Sequence, residues 1–226
     1  MITEHHEKNL HFDEQGYQLI EYEDFFFTQK NKKVTLKELG EKITSINSFF
    51  FEYLKGYNIP CAFVKKSGRQ KLLFLKYTEF PFKIRILNAA DKRIAKIFSI
   101  KTGTTLELPV LEYHYVDSKD SMITESHVIS FNLCSYDELK FMNRLCSKIN
   151  AILKSFFERR NEYLVELTCG FGKFEGKIFL IDAFSPISMK IVKNESDGKL
   201  PDPYKIETPA QMKKYSYHLL HLTNGD

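Results

Sequence analysis

The sequence predicts an α+β protein of two lobes, with a joint near Pro81. Three observations point there. Two long segments carry apolar residues at helical spacing, each behind a capping box. Short runs rich in β-branched and aromatic residues come in pairs, with turn residues between them. Strands and a helix fill the chain up to Pro81, and helices and strands follow it, which gives lobes of residues 1–81 and 82–226.

After Gly16, residues 18–27 (QLIEYEDFFF) read as a strand. Thr35 and Glu38 form a capping box that starts the first helix at Thr35, and Leu36, Leu39, Ile43, Ile46, Phe50 and Leu54 mark its apolar stripe. Gly56 and Asn58 stop it, and Pro60 follows. Residues 61–65 and 71–77 flank a Ser67–Gly68 turn as a hairpin. Residues 82–87 form a strand in which Lys83 and Arg85 alternate with apolar residues, so one face is wet or meets a ligand.

A short helical segment covers residues 91–98, and residues 106–115 are extended with an interruption at Pro109. Residues 116–122 (VDSKDSM) are a polar loop. Ser135 and Glu138 cap the clearest helix, with Leu139, Met142, Leu145, Ile149, Leu153 and Phe156 as its stripe. Residues 163–168 and 177–183 read as two strands joined at residues 173–176 and followed by a Ser185–Pro186 turn. In the first, Glu166 and Thr168 face one way. The second is a continuous apolar run, as in a strand buried on both faces, and it nears its end at the acid Asp182. Residues 194–203 have the composition of a loop, and Thr208–Pro209 opens a last helix reaching about Leu222.

A chain of 226 residues with 43% hydrophobic and 27% charged residues describes a globular protein. The net charge of +4 is mild and interspersed, which helps an anionic ligand but is no nucleic-acid footprint. Cys61, Cys134, Cys146 and Cys169 lie far apart without a CxxC pair. Structural zinc and a disulfide framework are not expected, and a reducing cytoplasm is. The start, MITEHHEKN, has no apolar core of a signal peptide, and no apolar run approaches the length of a membrane span.

Two stretches carry a resemblance. LEYHYVDSKDSMITESH (residues 111–127) is similar to a pattern E-x-x-x-K-x-D…DPM-x-N-E-x-H, and GFG…IDAFSP (residues 170–186) is similar to EFG…DEFSP. On these the chain resembles the SAICAR synthetase family, over nearly its whole length. The resemblance implies a two-lobed α+β fold clasping ATP in a cleft between the lobes. It also implies a magnesium-dependent ligase that joins aspartate to a carboxyaminoimidazole ribotide. Carried over position by position, it suggests Lys8, Lys76 and Lys83 for the nucleotide, Asp182 for the metal, and Asp24, Asn88, Asp120 and Lys190 for the substrate.

The departures fall on chemistry. The family's VDFKLEFG reads VELTCGFG, so its lysine is Thr168 and its metal-binding glutamate is Gly170. DEFSPD keeps only Asp182 of its acids, with Ala183 and Ile187 at the other two, and the arginine after it is Lys190. VRNxAAGS reads ILNAADKR, with Leu87 for the arginine and Asn88 kept. The SAGDG loop falls on residues 26–30 (FFTQK), just after Asp24, and EGKAK is at best EHHEK (residues 4–8). Magnesium on ATP phosphates uses one or two carboxylates, and phosphates and carboxylates want arginine forks or glycine-rich backbone.

Each candidate has a plainer reading beside it. Asp182 could bind magnesium with Glu166 or Glu175, or be a hydrogen-bonded relic. Lys8, Lys76 and Lys83 read equally well as surface lysines. Asp120, Glu125 and His127 could organise a ligand or merely fold their loop. His5, His6, His218 and His221 lack a third ligand, Cys169 has no histidine at readable distance, and the two phenylalanine triplets (residues 25–27 and 49–51) are simplest as core.

Two functions compete, and the family's own ligase reaction on the ribotide and aspartate stands third. One is an ATP-dependent amide-forming ligase whose substrate is not the purine ribotide and aspartate pair. The other is a catalytically inactive homologue used for binding or interaction. A nucleotide or other small molecule is the expected ligand, with a homo-oligomer or a protein partner as further options, and no nucleic acid or membrane is expected.

Overall fold

The computed structural model describes residues 9–12, 17–28, 30–116, 122–182, 184–193 and 200–224. The chain opens with β1 (Asn9–Phe12) and β2 (Tyr17–Glu21), an antiparallel pair. The run expected as one strand breaks after Glu21. β3 (Phe25–Phe27) leaves to pair with β4 (Lys33–Thr35) in a ribbon of its own.

Asp24 makes the break useful. Its Oδ1 accepts from the Gly40 N–H at 2.9 Å and from the Gln70 amide at 2.8 Å, and its Oδ2 accepts from the Glu38 N–H at 3.1 Å. This carboxylate caps α1 (Leu39–Lys55) from outside the helix. The expected Thr35–Glu38 box does not form. Thr35 ends β4, and Glu38 takes a left-handed φ of 65° without a side-chain cap. A distant acid satisfies helix-start donors that the local box would have served. The helix stop also differs in detail: Gly56 stays right-handed and Asn58, at φ 58°, makes the left-handed turn.

β5 (Phe63–Lys66) and β6 (Lys71–Leu75) form the expected hairpin, and β6 joins β2 to complete a four-stranded sheet, β1-β2-β6-β5. β7 (Thr78–Ala89) is longer than the sequence suggests and runs through Pro81. Pro81 has no N–H to give, and it falls where the ladder to the neighbouring strand bulges. α2 (Lys92–Ile97) is capped by Asp91, whose Oδ1 accepts from the Ile94 N–H at 2.8 Å. β8 (Thr105–Tyr115) is not interrupted by Pro109, which lies within a register irregularity of the β7 pairing. β9 (Met122–Ile123) adds to its end.

The segment holding Glu125 and His127 is not a loop but α3 (Glu125–Ser130), capped by Thr124 with His127 closing the box. α4 (Tyr136–Glu158) begins at the expected Ser135–Glu138 box, and all six residues of its stripe are buried. β10 (Glu162–Phe174) runs much further than residue 168. It turns at Glu175 and Gly176, both at positive φ, into β11 (Lys177–Asp182), as a two-residue primed turn requires. β12 (Met189–Lys193), not foreseen, follows the Ser185–Ser188 turn. α5 (Pro209–Thr223) starts at Thr208 as expected.

β10 organises the larger sheet. One edge carries β7, and the other carries β12 along its first half and β11 along its second. The outer edge of β11 is covered: the Leu180 N–H reaches the Pro60 carbonyl at 2.8 Å and the Ala62 N–H reaches the Leu180 carbonyl at 3.0 Å. The two sheets are thus stitched together, and one apolar core spans them. Phe184 sits at its centre, its ring 5.3 Å from Phe50 and 5.1 Å from Phe51 of α1. α5 packs on α1, and its Tyr215 hydroxyl accepts from the Ile191 N–H of β12 at 2.8 Å. The α+β architecture is the one expected.

Candidate functional site

Strand alternation sorts β7 into two faces. Phe82, Ile84 and Ile86 enter the core, and Asn88 meets Asn150 of α4. Lys83, Arg85 and Leu87 take the other face. The register of the neighbouring strands then lays out three rows across it. His114, Lys83, Gly170 and Asp182 form the first, and Val110, Leu87, Glu166 and Lys190 the third. Between them lie Glu112, Arg85 and Thr168, whose N–H bonds the Ser188 carbonyl at 2.7 Å.

Arg85 is the hub of this face. Its Nη1 donates to Asp91 Oδ2 at 2.9 Å and to Glu112 Oε2 at 3.0 Å, and its Nη2 donates to Glu166 Oε2 at 2.5 Å. The other Glu166 oxygen accepts from Lys190 Nζ at 2.5 Å. Arg93 reaches the second oxygen of Glu112. Lys190 also lies 4.6 Å over the Tyr204 ring, a cation–π contact.

The charges hold one another in their ionised forms. Burial alone would raise the Glu166 carboxyl, but Lys190 and Arg85 outweigh it and hold it at about 2. Burial likewise opposes Asp91, and the Ile94 N–H and Arg85 bring it below its ordinary value. Burial lowers the Lys190 ammonium, with Glu166 resisting. Burial and the nearby Arg85 guanidinium push the His114 imidazole down to about 4, so it is neutral at pH 7. Arg85, Arg93, Lys190 and Lys83 are four cations set against the four carboxylates of Asp91, Glu112, Glu166 and Asp182. Their formal charges sum to zero.

In the first row Lys83 Nζ donates to Asp182 Oδ2 at 2.9 Å, with both side chains largely buried. The ladder position between them is Gly170, which has no side chain to separate them. A Cβ built on Gly170 would lie 3.2 Å from Asp182 Cβ. This donor set does not fit a divalent cation. Asp182 already holds an ammonium, Gly170 offers no carboxylate, and both oxygens of Glu166 are engaged by cations. Glu175 lies in the turn at the far end of β10. Among the described residues no three His, Cys, Asp or Glu side chains gather as a metal site would need.

The other sequence candidates fall as follows. Lys8 and Asp120 lie outside the described residues, as do His5, His6 and Ala183. Lys76 is exposed between β6 and β7. Asp24 caps α1 and bonds the Gln70 amide. Asn88 is 1% exposed, and its amide exchanges two 2.8 Å bonds with Asn150. Leu87 is buried against Ala90, Ile94 and Ala95. Phe26 is core. His218 bonds Glu162 at 2.7 Å, and Cys169 is buried. Asp91, Glu112, Arg93 and His114 escaped the sequence reading. The alternation of Glu112 and His114 with Leu111, Tyr113 and Tyr115 was the available signal.

The sequence profile of SAICAR synthetase matches residues 9–205. The phosphoribosylaminoimidazole-succinocarboxamide synthase of Caldanaerobacter subterraneus subsp. tengcongensis is 32% identical over 191 residues, 83% of this chain and 81% of its own. The crystal structure of the synthase of that name from Ehrlichia chaffeensis superposes with a TM-score of 0.88 at 26% identity, over 100% of this chain and 98% of its own. A SAICAR synthetase in complex with ADP superposes with a TM-score of 0.80 over 87% of this chain and 85% of its own; at 24% identity it speaks to the fold alone.

Proposed function

The chain belongs to the SAICAR synthetase family, and we propose that it is a member that has given up metal-assisted ligation for a binding role. The observation that carries this reading is that, among the described residues, the cations and carboxylates of the sheet face balance. ATP-dependent ligation needs a metal ion or uncommitted cations to hold phosphates and the charge that builds on them. Here every cation of the rows is already bound to a carboxylate. A phosphate entering the face would have to break a buried ion pair, at a cost of several kcal/mol.

A small-molecule ligand remains part of the proposal, supported by membership of a family of synthases. It would lie between the lobes of residues 1–81 and 82–226, with Lys8 and Lys76 as its candidate phosphate contacts. Asp24 and Asn88, on this reading, are structural: one caps a helix and the other fixes α4 to β7. Expression in a purine auxotroph lacking its own SAICAR synthetase tests the proposal. No rescue is expected, and growth would overturn it.

One observation favours a second reading, a ligase with a changed substrate. Val110 gives the third row an exposed apolar end, which suits an acceptor without a phosphate. Turnover of ATP with a panel of uncharged carboxylic acids and amines, absent with the ribotide, would establish it.

A further inference from the structure

Lys83 makes its ion pair on the sheet face over a ladder position that has no side chain. Its Nζ meets Asp182 Oδ2 at 2.9 Å across Gly170, and the two side chains are 16% and 11% exposed. We propose that the Lys83 ammonium is a resident counter-ion at Asp182, a covalently attached cation in the position a divalent ion would need, and that it makes this acid refractory to divalent metals. The inference rests on the reading above for its location, and it adds how the metal is kept out.

An ammonium in contact with one carboxylate oxygen repels a second cation approaching the same acid, and partial burial leaves that repulsion poorly screened. The contact needs a bare position between the partners, and Gly170 is the residue on β10 that faces both. Any larger side chain there would crowd Asp182, since the first added carbon already comes to 3.2 Å from its Cβ. The neighbouring acids cannot compensate, because Glu166 is held by Arg85 and Lys190 and Glu112 by Arg85 and Arg93.

Manganese(II) binding to the full chain, followed by electron paramagnetic resonance, tests this without any activity assay. The wild-type chain is expected to show no manganese site that Asp182→Asn removes. Lys83→Met is expected to tighten binding at Asp182. Lys83→Met with Gly170→Glu is expected to tighten it by roughly tenfold or more, and the gain should vanish when Asp182→Asn is added. A wild-type site abolished by Asp182→Asn would overturn the inference, and that comparison needs no redesigned chain. So would a folded Lys83→Met chain that binds manganese at Asp182 no more tightly than wild type. Ligase turnover with metal held elsewhere would instead sink the functional reading and leave the role of Lys83 standing.

Discussion

Lys83 and Asp182 stand on strands that do not touch, and they meet at 2.9 Å because β10 places Gly170 between them. The pairing therefore depends on a residue that takes no part in it. Gly170→Val puts two methyl groups beside Asp182 Cβ and should separate the ion pair, destabilising the fold by about 1–3 kcal/mol. Thermal unfolding would show this as a lowered midpoint. Gly170→Ala, with a single carbon to accommodate, should cost less.

Arg85 joins three carboxylates, and removing the guanidinium would leave Asp91 without its ion-pair partner and take one of two cations from each of Glu112 and Glu166. Arg85→Met should cost about 3–5 kcal/mol, read as a drop in the urea midpoint with an unchanged slope. Arg85→Lys keeps the charge but not the fork, and it should recover only part of the loss.

Stability should fall with acid in two stages. The folded-state value of His114, about 4, lies below its ordinary 6.5, so between these pH values the unfolded chain binds the proton more readily. Stability from this group is complete above pH 6.5 and is lost as the pH falls towards 4. Glu166, held near 2 against an ordinary 4.5, adds a second loss as the pH falls from 4.5 towards 2. Unfolding free energies measured from pH 8 to 3 should follow this shape. His114→Gln should flatten the upper stage and leave the lower.

Asp24 bonds two N–H groups at the start of α1, so Asp24→Ala should lower stability by about 1–2 kcal/mol. Glu38 sits at φ 65°, and Glu38→Gly should raise stability by roughly 1 kcal/mol by relieving the left-handed conformation. Both changes are readable by chemical denaturation, and neither should alter ligand binding.

The parts of the fold that were legible in the sequence are those decided locally. The stripe and capping box of α4, the Thr208–Pro209 start of α5 and the Ser67–Gly68 hairpin depend on residues a few positions apart. The start of α1 was misread because its cap, Asp24, comes from far back in the chain and outcompetes the local Thr35–Glu38 pattern. β12 was missed because Lys190 looks polar in sequence, yet it is buried by pairing with Glu166. The site was legible as a face, since Lys83 and Arg85 alternate with apolar residues. Its chemistry was not, because strand register brings Glu112 to Arg85, the turn into α2 brings Asp91, and Lys190 joins through Glu166. Asp182 was singled out as a metal ligand from its position closing β11, and its lysine partner lies 99 residues away.

ADP release by the purified chain given magnesium, ATP, carboxyaminoimidazole ribotide and aspartate, followed through a coupled assay, separates a ligase from a binding protein. The closed charge balance around Arg85 and the Lys83–Asp182 pair predict no release above the protein-free rate. Ribotide-dependent ADP release that is abolished by Asp182→Asn would contradict the account.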